Sequence, residues 1–133
     1  MMMKILLGMI LLHILDDFVL QKATLSNLKQ REWWVREFGS GKMNDDKDFM
    51  YRDDYRVAGL IHALGWAIMI HLPLFIFDFE WYILAISVVC NCLIHFIVDD
   101  QKANKKTINL IQDQLIHFAQ IGITLLVFAL WIV

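Results

Sequence analysis

Three histidine–aspartate pairs recur in this chain at a spacing of four: His13 with Asp17, His95 with Asp99, and Asp113 with His117. Residues four apart share one face of a helix, one turn from each other. A single pair is accounted for by a local imidazole–carboxylate hydrogen bond, but three in 133 residues argue for a shared purpose. Neutral imidazole with carboxylate is the donor set of Zn²⁺, Mn²⁺ or Fe²⁺ sites. The same groups can instead relay a proton or form a purely structural polar network. His62, Asn91 and Gln114 stand in the same kind of apolar surroundings as the three pairs.

The elements that hold these residues are apolar helices. The chain is 59% hydrophobic with a mean hydropathy of +0.53, too apolar for an ordinary soluble domain and too short for a second one. A bilayer core requires about 20 mostly apolar residues in helical form, because it offers no water to backbone amides and carbonyls. Four stretches meet this, with helices expected over about 3–21, 56–77, 81–100 and 108–133, and with Pro73 kinking the second. The expected fold is therefore all-α: one transmembrane domain over 1–133, a four-helix bundle whose second and third helices form a hairpin with Asp78 and Glu80 at its tip.

Basic residues set the orientation, since short cytoplasmic loops collect Lys and Arg. Eight lie between Lys22 and Arg56 and three between Lys102 and Lys106, against Lys4 alone on the other side. Both termini are expected outside the cytoplasmic (inner) membrane, with the loop 22–55 in the cytoplasm. Within that loop an interfacial amphipathic helix is expected over about 26–38, capped by Ser26 or Asn27 and bearing Trp33 and Trp34 beside basic residues. The remainder, Gly39 to Asp54, reads as a solvated excursion rich in Gly, Asn, Asp and Lys.

Depth follows from this topology and the helical rise. Counted inward from the nearest cytoplasmic basic residue at about 1.5 Å per residue, Asp17 and His13 lie roughly 8 and 13 Å deep, His62 roughly 9 Å, His95 and Asp99 roughly 10 and 5 Å, and Asp113 and His117 roughly 10 and 16 Å. All seven fall in one layer, whereas His71, roughly 22 Å from Arg56, is expected to be structural. Charged groups at such depth need a compensating partner, and a divalent ion would neutralise the carboxylates. The expected ligands are His13, Asp17, His62, His95, Asp99, Asp113 and His117, holding one or two ions of Zn, Mn or Fe.

Other chemistries find little support. A net charge of −2 gives no reason to expect a nucleic-acid partner. Cys90 and Cys92 sit in an apolar run and are expected in the core. Ser87 has no histidine at helical spacing, and no glycine-rich phosphate loop is present. The opening Met1 to Leu12 lacks a small-x-small cleavage site and is read as a retained helix.

The motifs resemble those of a group of small bacterial and phage integral membrane proteins, the family designated domain of unknown function 3307. His13-Ile-Leu-Asp-Asp17-Phe18-Val-Leu20-Gln21 is similar to its H-x-x-x-D-F-x-L-Q opening. Lys29, His62, the H-F-x-x-D-x-x-K run from His95 to Lys102, and the D-Q-x-x-H run from Asp113 to His117 follow in the same order. Asp16 and Asp100 double aspartates that are single in the family's pattern; helical spacing favours Asp17 and Asp99 as the inward members. The resemblance implies a motif set and a membrane location, and no activity.

The leading expectation is a metal-dependent hydrolase acting on a lipid or lipid-linked phosphoester at the cytoplasmic leaflet. One of Asp17, Asp99 and Asp113 would serve as general base, and Lys29 and Lys102 would hold the phosphate. Lys105 and Lys106 are read chiefly as topological charges. The alternatives are a metal-ion or proton translocator and a structural or partner-binding membrane protein, and a homo-oligomer is compatible with each.

Overall fold

The computed structural model describes residues 1–39, 50–77 and 79–132, and within them every regular element is a helix. Chain order is α1 (Met2–Ile14) running into a π-helical turn (Leu15–Leu20), α2 (Ala23–Leu28), α3 (Arg31–Phe38), α4 (Asp54–His71) closed by a 3₁₀ turn (Leu72–Leu74), α5 (Trp81–Ala103) and α6 (Leu110–Ile132). Most of the excursion expected over Gly39 to Asp54, and Asp78 at the hairpin tip, lie outside the described residues.

Three of these segments, Asp54–Leu74, Trp81–Ala103 and Leu110–Trp131, are long and apolar enough to cross a membrane. The distribution of side chains agrees, because it inverts the soluble pattern. Ile86, Val89 and Ile97 on α5, with Ile123, Leu126 and Leu130 on α6, are exposed, while His13, His62, His95, Asp99, Asp113 and His117 are buried. In water such apolar faces would form an unusually large exposed patch and such buried charges would be costly. A hydrocarbon solvent reverses the first cost and makes the second the defining feature of the interior.

Packing centres on α4. It lies against α5 along most of its length and touches α1, with α6 completing the circle against α1 and α5. Trp66 and Ile70 from α4, and Leu74 from the turn that closes it, meet Met9, Ile121 and Phe128 in the apolar half of the core. Gly59 lets the Phe96 ring of α5 pack directly on α4, since a Cβ there would stand 3.1 Å from Phe96 Cε2.

Three local departures from the expected helices have physical causes. The first predicted helix over about 3–21 is α-helical only to Ile14; beyond it the turn widens, closed by the Gln21 N–H donating to the Asp16 carbonyl at 2.9 Å. The second ends at His71 and tightens to 3₁₀ geometry instead of kinking, because Pro73 has no N–H to continue the α-helical ladder. The single amphipathic helix expected over 26–38 is instead two, starting at Ala23 and interrupted at Lys29–Gln30. Asn104, at the C-terminal end of α5, holds that break: its side-chain oxygen accepts from the Arg31 N–H (2.8 Å) and its amide donates to the Lys29 carbonyl (3.1 Å).

Candidate metal centre

Four helices deliver the histidines. His62 points inward from the first half of α4, His95 from the second half of α5, His117 from the first half of α6, and His13 from the last turn of α1. The hub is the His62 Nε2 atom, 3.3 Å from His95 Nε2 and 3.5 Å from both Asp17 Oδ1 and Asp99 Oδ2. His117 Nε2 forms a second focus, 3.5 Å from Asp99 Oδ1 and 3.3 Å from Asp113 Oδ1. Asp99 thus turns one oxygen to each focus.

Among the described residues two triplets could hold a metal ion, each with its ligand atoms within 4.8 Å of one another: Asp17, His62 and His95, and His95, Asp99 and His117. Donors bound at 2.0–2.1 Å in a tetrahedral shell stand about 3.4 Å apart. The spacings of 3.3 to 3.5 Å around His62 and His117 match that figure. His95 belongs to both triplets, but its Nε2 can bind one ion at a time.

Unsatisfied groups give a second test of fit. Asp17 Oδ1, Asp113 Oδ1 and His117 Nε2 are buried and make no hydrogen bond, although Asp17 Oδ1 lies 3.5 Å from His62 Nε2 and His117 Nε2 3.3 Å from Asp113 Oδ1. Orphaned buried polar atoms are rare in folded proteins and each demands a partner. Charge is the third test. The layer holds four carboxylates, Asp16, Asp17, Asp99 and Asp113, and two ammonium groups, Lys29 on Asp99 and Lys102 on Asp113, both at 2.5 Å. With neutral imidazoles two negative charges remain, the complement of one divalent cation. Asp100 lies outside this count, paired with Lys105 at 3.2 Å.

Surrounding contacts orient the layer. Trp66 Nε1 donates to His13 Nδ1 at 2.7 Å, and since indole only donates, the remaining His13 proton sits on Nε2 and is given to Gln114 Oε1 at 3.1 Å. Both His13 nitrogens are thereby occupied, and the structure does not bring this residue into either triplet as sequence spacing suggested. Gln114 passes the constraint on, its amide donating to Asp17 Oδ2 (3.2 Å) and Asp113 Oδ2 (3.1 Å). His95 is clamped by stacking between Trp66 and His117, with ring centroids 4.2 and 4.1 Å away.

The doubled aspartates resolve differently from the spacing argument. The widened π turn brings Asp16 Oδ2 to 3.8 Å from His62 Nδ1 while Asp17 faces His62 Nε2, so both members meet one imidazole. Asp99 is the inward member of its pair and Asp100 serves the loop, bonded to Asn104 and Lys105. Lys29 is buried in the layer, whereas Lys105 and the Lys106–Glu32 pair are exposed. Cys92 lies in the core as expected, but Cys90 is exposed on the outer face of α5.

His71 is held by hydrogen bonds to the Ala67 carbonyl and to Ser87 Oγ, both at 2.7 Å. Sequence spacing could not show that contact, because it joins residues on different helices. Ser87 and His71 begin a polar ladder that continues through Asn91, Thr124 and Gln120 toward the layer. Trp66, read only as an apolar residue in the sequence, is the other contributor missed; its one polar atom meets His13 on another helix.

Compared with known protein families, curated proteins and solved structures, the chain matches none.

Proposed function

We propose that the His/Asp layer binds a divalent cation and that the protein is a membrane-embedded metal-dependent hydrolase acting on a lipid or lipid-linked phosphoester. The observation that carries this reading is the convergence of buried, unpartnered ligand atoms with two surplus negative charges, beside two lysines at the mouth of the layer. His95, Asp99 and His117 supply the ligands with Asp113 beside His117 completing the set, and one ion satisfies the charge count. Zn, Mn and Fe are each compatible with this donor set.

When bound, the ion supplies Lewis-acid polarisation and acidifies water. The chain's own groups do the rest. Lys29 and Lys102 bind and orient the phosphoryl oxygens. Asp17, with Oδ1 unpartnered beside His62, takes the proton of the attacking water and returns it to the leaving oxygen as the phosphorus–oxygen ester bond breaks, so that the alcohol departs neutral. Trp66, His13 and Gln114 hold the carboxylates and imidazoles in register.

In the same reading α1 and its π turn form a fourth span, nineteen residues giving about 28 Å at 1.5 Å each. The excess of Lys and Arg in 22–56 and 102–106 puts those loops in the cytoplasm and both termini outside, in an inner membrane. The substrate is then met at the cytoplasmic leaflet, and the motif set supports placing the chain with the domain of unknown function 3307 proteins. Elemental analysis of detergent-purified protein tests the core of this: stoichiometric metal in the wild type, lost together with hydrolysis in His95→Ala and Asp113→Ala. Full occupancy in both variants would remove the site as drawn.

The ladder from Gln120 to His71 favours one second reading, a proton or metal-ion translocator, since it extends polar groups from the layer toward the far side. Ion flux into proteoliposomes separates it from the hydrolase.

A further inference from the structure

A cavity of about 410 Å³ with a mixed polar and apolar lining opens on the loop side of the layer, between α2 and the facing ends of α5 and α6. At about 30 Å³ per water it has room for roughly a dozen. Its polar lining comes from Gln21, Ser26, Lys29, Gln30 and Lys102, and among the described residues no carboxylate borders it. Two ammonium groups, a hydroxyl and amides on one wall describe a receptor for a tetrahedral oxyanion. Neither ammonium group is free, however. Lys29 Nζ sits on Asp99 Oδ2 and Lys102 Nζ on Asp113 Oδ2, and the Gln21 amide oxygen, turned toward Lys29, takes a further hydrogen bond from it at 2.6 Å.

We propose that this cavity is a binding site for phosphate or a phosphomonoester that the chain's own lysines hold shut until a divalent cation loads the layer behind it. The inference rests on the metal reading above. Asp99 is a candidate ligand, and Asp113 faces His117 across the same focus. An ammonium group and a divalent ion therefore compete for the same carboxylates. Once the cation carries their charge, Lys29 and Lys102 hold positive charge without a counter-ion, and Lys29 does so while buried. An incoming phosphate supplies it. Cation and anion affinities are then coupled, and by linkage each raises the other by the same factor.

The coupling distinguishes this arrangement from two lysines that merely attract anions. Lys102, 28% exposed, is the residue to change, because Gln114 still donates to the buried Asp113 carboxylate once the ammonium group is gone. Binding of micromolar inorganic phosphate to the purified full chain, followed by equilibrium dialysis with and without Mn²⁺, should tighten about tenfold or more on metal loading, within the 5–150-fold range usual for such coupling. Lys102→Met should abolish that phosphate binding while leaving Mn²⁺ affinity equal to or greater than that of the wild type, because a competitor for Asp113 is gone. Vesicles containing phosphatidic acid, compared with phosphatidylcholine alone, identify the source: competition with inorganic phosphate only by the acidic lipid assigns the site to a lipid headgroup, and none by either assigns it to free phosphate. Phosphate binding that is indifferent to Mn²⁺, or a Lys102→Met variant that loses metal and phosphate together, overturns the inference while leaving the metal site standing. A wild-type protein that binds no metal removes the reading beneath it.

Discussion

Replacing His95 with phenylalanine separates the metal-binding role of the layer from its packing. His95 is fully buried, its ring stacked between Trp66 at 4.2 Å and His117 at 4.1 Å, it is the residue shared by the two candidate triplets, and its Nε2 lies 3.3 Å from His62 Nε2 and 3.8 Å from Asp99 Oδ1. Phenylalanine keeps the shape and the stacking, so the metal-free variant should lie within about 1.5 kcal/mol of wild type, as for volume-conserving exchanges. Loss of the Nε2 donor leaves Asp17 with His62 on one side and Asp99 with His117 on the other, neither completing its triplet. At a metal concentration one hundred times its dissociation constant, binding stabilises the wild type by about 2.7 kcal/mol. For a chain of this size that corresponds to a rise in the thermal midpoint of about 10 °C. The assay is the midpoint in detergent after chelation and again after adding back Zn²⁺ or Mn²⁺. We expect the full increment in wild type and less than about a quarter of it in His95→Phe, with similar metal-free midpoints. A variant that keeps both the increment and stoichiometric metal would refute the assignment of His95 as the shared ligand.

The two lysine pairs should respond unequally to loss of the carboxylate. Asp99→Asn strands Lys29, which is 6% exposed, and should cost about 3–5 kcal/mol of metal-free stability; Asp113→Asn leaves Lys102 able to reach water and should cost under about 1 kcal/mol, and equal midpoints for the two would contradict the burial argument. Trp66→Phe removes the indole donor that fixes the His13 tautomer and, through Gln114, the Asp17 carboxylate; metal affinity measured by competition with a chromophoric chelator should fall about 10–100-fold, and an unchanged affinity would reduce Trp66 to a packing residue.

How much of this was legible in the sequence depended on whether the determining contact was local. The apolar stretches and the i,i+4 histidine–aspartate pairs are local, and they led to the helices and to the residues of the layer; the depth arithmetic placed His62, His95, Asp99, Asp113 and His117 together without any knowledge of packing. What it could not resolve was rotation. His13 lies at the expected depth, yet its ring is taken by Trp66 and Gln114 from two other helices. The break at Lys29–Gln30 was equally hidden, since the group that caps α3 is the side chain of Asn104, 73 residues away in sequence.

Asp16 and Asp17 show why the α-helical rule itself failed at one point. Adjacent residues of an α-helix point in different directions, so a spacing argument must choose between them, and it chose Asp17. The chain widens to π geometry at that turn, and both carboxylates reach the same imidazole, one at each nitrogen. π turns are energetically inferior to α turns and persist mainly where function holds them. Here the turn adds a fourth carboxylate to a layer with two ammonium groups, and that addition is what raises the uncompensated charge from one to two. A single aspartate on a regular helix would have left a layer balanced by a monovalent ion or a proton. The distortion of α1 and the surplus of two negative charges that the proposed divalent ion would balance are thus one feature, set by the doubled aspartate in the sequence.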